Sequence, residues 1–233
     1  MDREALAARI DNTALGPTTT PADVERVVDE AVTYGTNVCV PPCYVPEARE
    51  RAAAAVEADT AAEPAIAAAE DLTIVTVVGF PHGQHATAAK VSEAEIAAAD
   101  GADELDVVAN VGRLRAGDAE TVGEELAAVV DATPCPVKVI VEAGLCSDDQ
   151  LRTVAELAVD VGASHLKTST GFAGGRARVR DVALLSEYLP VKASGGIADF
   201  GTAASMLAAG AERIGASRGV AILEDFAEHY TDE

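Results

Sequence analysis

The chain has almost no lysine: four residues, against thirteen arginines and 39 acidic side chains. It has no tryptophan, two methionines and only 3% aromatic residues, so its core must be aliphatic. It has no run of 18 or more apolar residues, which argues against a membrane-spanning helix. The opening MDREALAARIDNT is acidic and amphipathic and lacks the basic and apolar regions of a signal peptide; a cytoplasmic location is expected. Cys39, Cys43, Cys135 and Cys146 form no CxxC pair, and a chain with a full core has little need of a disulfide framework. Reduced cysteines packed on strands are the expectation. His82 and His85 are spaced HxxH, yet FPHGQH has no further histidine nearby, so they read as loop histidines rather than zinc ligands. A surplus of positive charge is missing as well. The net charge of −22 would repel phosphates, which excludes nucleic acid as a partner.

The acidic residues are dispersed along the chain rather than run together, so they form a surface and not a disordered tail. Together with the scarcity of lysine this reads as a salt-adapted, halophilic surface, on which screening makes a high net charge tolerable. With 233 residues, 49% of them hydrophobic, and no interior linker or repeat, residues 1–233 are expected to form one domain.

Eight apolar, β-branched runs recur: 9–15, 36–42, 72–80, 102–110, 136–143, 164–170, 190–194 and 212–217. Between them lie stretches with an apolar residue every three or four positions, among them TPADVERVVDEAVTYG, VPEARERAAAAVEAD, KVSEAEIAAADG and DAETVGEELAAVVDA. Several open on a capping residue and close on glycine, as from Thr20 to Gly35 and from Ser147 to Gly162. The Ala-rich stretch 52–69 reads as a helix followed by a loop around Pro64. Eight strands alternating with helices predict an α/β fold, a closed (β/α)8 TIM barrel rather than an open sheet.

Three of the four lysines lie inside apolar strands: Lys138 in PVKVIVEA, Lys167 in SHLKTSTG and Lys192 in PVKASGG, while Lys90 opens a helical pattern. Burying an ammonium is costly unless it is paired, and burial moves a lysine from its usual pKa of roughly 10.4 towards neutrality, leaving a nucleophilic amine. In a barrel, catalytic groups gather at the C-terminal ends of strands. Asp106, Lys138, Lys167 and Lys192 are placed there by the strand count, on four consecutive strands, with Leu105, Val107 and Leu166 facing the other way. A second ammonium beside the first favours a free amine, which can attack a carbonyl to form a Schiff base, and Asp106 is placed to move protons. The Gly and Ser residues at 194–196 and 215–217 follow strands seven and eight, where such barrels bind phosphate. Thr168, Ser169, Thr170 and Gly171 add hydroxyls and a small residue.

The motifs GFPHG at 79–83, ADELDVVANVGRL at 102–114, VKVIVEAG at 137–144, LKTSTGF at 166–172, VKASGGI at 191–197 and RIGAS at 213–217 resemble the deoxyribose-phosphate aldolase family over nearly the whole chain. The resemblance implies a class I aldolase that reversibly cleaves 2-deoxy-D-ribose 5-phosphate to acetaldehyde and D-glyceraldehyde 3-phosphate, without a cofactor or metal. It implies that Lys167 forms the Schiff base, Lys192 tunes it and Asp106 moves protons. Lys138 and Thr168 are expected to contact substrate, and Gly171, Gly195, Gly196 and Ser217 to line the phosphate site. A homo-oligomer, dimer or tetramer, is expected. The chain departs from the family pattern at Asn12, Phe172 and Arg218; Asn12 leaves open a hydrogen bond near the first strand, and Arg218 is a candidate to supply a missing positive charge. Tyr230, near the C-terminus, reads as part of a fraying end. Three alternatives remain at this point: another Schiff-base aldolase or transaldolase-like enzyme, a phosphosugar isomerase using Asp11 and Asp106 as acid and base, and a non-catalytic acidic interaction protein, against which the three strand-end lysines argue.

Overall fold

The computed structural model describes residues 1–59 and 72–230. Eight parallel strands close on themselves in chain order: β1 (Ile10–Thr13), β2 (Asn37–Cys39), β3 (Ile74–Val78), β4 (Glu104–Val108), β5 (Val137–Ile140), β6 (His165–Lys167), β7 (Val191–Ser194) and β8 (Ala211–Ala216). The last pairs with the first, Ile10 opposite Ile214. Parallel neighbours need long crossovers, and helices on the outside provide them. The result is the single-domain (β/α)8 barrel expected from the eight apolar runs.

A parallel strand covered on both faces reads as an unbroken apolar run. β3, IVTVV, is buried at all five positions. Outward-facing Leu105, Val107, Leu166 and Ile214 belong to the main aliphatic layer between barrel and helices. Inside the barrel, Cys39, Val75 and Val77 form a separate small cluster with Leu15 and Phe80. The barrel interior is therefore divided. Strands β2 and β3 supply an apolar wall, whereas β1 and β4–β8 turn charged side chains inward.

Helix ends follow the capping residues. Thr20 caps Pro21–Tyr34 with a reciprocal bond to Asp23, and Gly35 closes it in the left-handed conformation. Ser147 and Gln150 do the same for the start of Asp148–Asp160. The helix expected to open at Lys90 begins earlier, spanning Thr87–Ala99, because Ala86 at its cap makes no side-chain hydrogen bond and leaves no mark in the sequence. Val45–Asp59 is helical as read, while the expected loop around Pro64 lies outside the described residues. No described helix is long and apolar enough to cross a membrane.

Candidate active site

Only Lys167 ends its strand. Asp106 is the third residue of β4, and Lys138 and Lys192 are each the second residue of a four-residue strand. The expectation that all four sit at strand ends is corrected on this point. The strands continue beyond these residues, and flexible four-carbon stems carry the ammonium groups to a common point on the barrel axis. Cross-strand register places Asp106 beside Lys138 and Lys167 beside Lys192.

The groups meet at one carboxylate. Asp106 Oδ2 accepts from Lys167 Nζ at 2.8 Å and from Lys192 Nζ at 2.7 Å. Lys138 Nζ lies 3.3 Å from Asp106 Oδ1. All four residues are buried. Burial alone would raise the Asp106 carboxyl, but Lys167, Lys192 and Lys138 outweigh it and hold it well below the carboxylate range. Burial likewise pushes the Lys192 amine down, yet Asp106 and Asp11 prevail and hold it well above its ordinary value. Lys192 is thus a fixed cation. Lys167 is the lysine that opens onto the surface cleft.

That cleft, about 320 Å³ in volume, lies over the C-terminal ends of β6–β8 and is lined by Lys167, Gly171, Gly195, Gly196, Ser217 and Arg218 among others. Five of the residues expected at the site are therefore brought to one cavity, with Arg218 beside them. Asp106, Lys138, Thr168 and Lys192 do not line it. Lys138 is fully buried beneath Asp106, and Thr168 is turned inward, where its Oγ1 donates to the Ser194 carbonyl and accepts from the Ser194 N–H, both at 2.9 Å. In these positions Thr168 links β6 to β7, and Lys138 pairs with Glu104 and Asp106. Gly195 and Gly196 have φ of 107° and 73°, so the turn after β7 uses backbone conformations that favour glycine. Gly215 serves differently. A Cβ there would lie 3.0 Å from Lys192 Cε and 2.9 Å from Ser194 Cβ, so its missing side chain is the space through which the Lys192 stem passes.

Asn12 resolves the question raised at strand one. Its Oδ1 accepts from the Gly219 N–H at 3.2 Å and its Nδ2 donates to Glu30 at 2.7 Å, tying β1 to helices Gly219–Tyr230 and Pro21–Tyr34. Phe172 is half-exposed and packs edge-on against Phe80, with ring centroids 5.3 Å apart. His82 and His85 line a separate cavity with Glu142 and Arg115. The Tyr230 side chain lies outside the described residues.

Sequence reasoning passed over Glu142. It alone among the described non-glycine residues has a positive φ, 47°. Its Oε2 accepts from the Thr170 N–H at 3.1 Å and the Thr170 hydroxyl at 2.6 Å, and Thr170 Oγ1 accepts from the Phe172 N–H at 3.1 Å. This chain of bonds pins the loop after Lys167 to the end of β5. Within VEAG nothing distinguishes such a residue from an ordinary strand-end acid. Arg213 and Glu104 were also passed over, because each reads as a surface charge at the start of a strand.

Deoxyribose-phosphate aldolase of Halobacterium salinarum is 56% identical to this chain over 228 residues, covering 98% of this chain and all of that protein. The chain belongs to the deoxyribose-phosphate aldolase family. The corresponding protein of Natronomonas pharaonis is 55% identical over 226 residues and 97% of both chains. Among solved structures, the tetrameric deoxyribose phosphate aldolase from Aeropyrum pernix superimposes with a TM-score of 0.85 at 32% identity, covering 98% of this chain and 93% of that one. No protein-family model matches the chain. Membership makes the protein an aldolase, a carbon–carbon lyase, and its halophilic relatives agree with the salt-adapted surface read from its charge.

Proposed function

We propose that the protein cleaves 2-deoxy-D-ribose 5-phosphate reversibly, through a Schiff base on Lys167. The observation that carries this reading is the shared oxygen of Asp106, which holds Lys167 and Lys192 side by side at 2.8 and 2.7 Å, with Lys167 facing the cleft. The Lys167 amine adds to the C1 aldehyde of the open-chain sugar, and loss of water gives a protonated imine. The C3 hydroxyl then gives up its proton and the C2–C3 bond breaks. Its electrons move into an enamine, and D-glyceraldehyde 3-phosphate leaves. Protonation at C2 and hydrolysis of the imine release acetaldehyde. Asp106 moves these protons, directly or through water, while Lys192 stays charged beside it. No cofactor or metal takes part in this sequence.

The substrate phosphate belongs at the turns after β7 and β8, where Gly195, Gly196 and Ser217 offer backbone N–H groups next to the start of helix Gly219–Tyr230. Arg218, exposed on the same cleft, supplies a positive charge. Asp11 does not line the cleft and is ion-paired with both Lys192 and Arg213, which disfavours the isomerase arrangement with Asp11 as an acid or base. We further propose that residues 1–233 act as one unit, in the cytoplasm and as a homo-oligomer; the tetrameric neighbour supports the last point. The test is reduction with borohydride in the presence of acetaldehyde, followed by peptide mapping. A single ethyl adduct on Lys167 is expected. Turnover without a trapped lysine, or an adduct on Lys192, overturns the reading.

A further inference from the structure

The buried charges beneath the cleft form a closed ring. Asp106 contacts Lys192 at 2.7 Å, and Lys192 contacts Asp11 at 2.5 Å. Arg213 donates to Asp11 and reaches Glu104 at 3.5 Å. Glu104 pairs with Lys138, and Lys138 returns to Asp106 at 3.3 Å. Three carboxylates alternate with three cations around the circuit, so the ring is neutral in itself. Lys167 is attached to it at one point only, Asp106 Oδ2. Three links, Lys192 to Asp11 Oδ2, Lys138 to Asp106 Oδ1 and Arg213 to Glu104, are ion-pair contacts without aligned hydrogen bonds, which marks an electrostatic arrangement more than a geometric one.

We propose that this ring sets the charge state of Lys167, with Glu104 and Arg213 as positioning residues that act on the nucleophile from the opposite end of the barrel without touching substrate. Because three cations already match the three carboxylates of the ring, an ammonium on Lys167 is the one unmatched charge of this cluster. Lys192 differs, being held by two carboxylates. Charged residues at the N-terminal face of a barrel ordinarily serve stability. Here they are wired to the reactive carboxylate through Lys138 on one side and Lys192 with Asp11 on the other.

The titratable groups around Lys167 and the ring come from most of the barrel, with Arg213 on β8. β1 gives Asp11, β2 the Cys39 thiol, β4 Asp106, β5 Lys138 and β7 Lys192, while β3 presents only Val75 and Val77. Burial pushes the Cys39 thiol up, so it stays neutral. Lower down, His165 and Glu212 flank Lys138, Glu104 and Arg213; burial pushes the His165 imidazole down and leaves it uncharged at neutral pH.

This inference rests on Lys167 being the Schiff-base lysine, and borohydride trapping checks that part separately: every variant below keeps Lys167 and should still be trapped there. The deciding measurement is the acidic limb of the kcat/KM profile. Arg213→Met removes a cation and should move the limb to higher pH. Glu104→Gln removes an anion and should move it to lower pH, each by on the order of one pH unit. The double variant restores neutrality and should bring the limb back, as should Arg213→Lys alone. A purely structural role predicts lower rates with an unmoved limb, and that result overturns the proposal. Movement of both single variants in the same direction overturns it too. If Arg213→Met does not fold, Glu104→Gln and Arg213→Lys still decide, since one must shift and the other must not.

Discussion

Lys167 and Lys192 donate to the same oxygen of Asp106, yet only Lys192 has a second carboxylate, Asp11, at 2.5 Å. Two lysines that look alike in sequence are thereby given different chemistry. Lys192 is locked as a cation by two anions. Lys167 shares a single carboxylate with two competitors and ends its strand at the cleft, which suits it to act as the amine.

Lys167→Arg should abolish aldol cleavage, by at least about a thousandfold, while the fold survives. Arginine keeps the charge on Asp106 but, with a pKa above 12, has no free amine to offer. Rates of acetaldehyde release and circular dichroism on the same sample check this. Substantial turnover in a folded variant removes Lys167 from the reaction.

Lys192→Met should lose both activity and stability. It strips Asp11 and Asp106 of a shared partner in the barrel interior, and unpairing a buried charge typically costs about 3–5 kcal/mol. Denaturant unfolding reads the stability and initial rates the activity. A variant of normal stability would mean that water replaces the ammonium.

Stability should fall steeply in acid. Lys192, Arg213 and Lys138 overcome the effect of burial and lower the Asp11 carboxyl from 3.8 to about 2. A carboxylate depressed in the folded state contributes stability that is full above its unfolded value and is lost as pH falls through the folded one. For Asp11 the window runs from pH 4 down to about 2, with on the order of 2 kcal/mol at stake, and Asp106 adds to it. Unfolding free energies between pH 5 and 2 should show this slope, and Asp11→Asn should flatten it. An unchanged slope in that variant would assign the acid sensitivity to other groups.

Salt should stabilise the protein. At −22 net charge the chain repels itself wherever screening is weak, and the Debye length falls from about 30 Å at 0.01 M salt to about 3 Å at 1 M. The melting temperature should rise across that range, although surface pairs such as Arg51 with Asp29 weaken over it. A flat or falling curve would mean that self-repulsion does not govern the stability of this surface.

Gly196→Val should raise KM for deoxyribose 5-phosphate at least tenfold, while barely changing turnover of unphosphorylated deoxyribose. Its φ of 73° disfavours any side chain, and a Cβ would come 3.0 Å from Arg176 Cγ, so the turn must shift away from the position proposed for the phosphate. Equal losses on both substrates in a folded variant would place the phosphate elsewhere.

All eight strands and the barrel were legible because each strand falls in a run rich in apolar, β-branched residues, and the main helices because Thr20, Ser147 and Gly35 carry capping signals. Helices Arg3–Ala7, Val111–Arg115 and Val179–Leu185 were not, since five or seven residues complete too few turns to show a period. Gly219–Tyr230 is long enough, but it starts straight after a Gly/Ser turn that reads as loop. At the site, Asp106, Lys167 and Lys192 stood out as charges inside hydrophobic strands. Glu104 and Arg213 lie near strand starts, where charge is ordinary, and their partners are as much as 202 residues away in the chain. Glu142 was hidden because its unusual backbone angle has no signature in residue type.

Gly215 ties one position in the chain to another. Its backbone conformation is ordinary, so nothing torsional demands glycine there; the demand comes from Ser194 Cβ and the stem of Lys192, 2.9 and 3.0 Å from where a Cβ would stand. Volume at 215 is therefore coupled to the side chains at both 192 and 194. A side chain at 215 would have to displace both the stem of Lys192 and the Cβ of Ser194, so losing the lysine alone does not free the position. In this chain the small residue at 215 is part of what lets a long cation span the barrel.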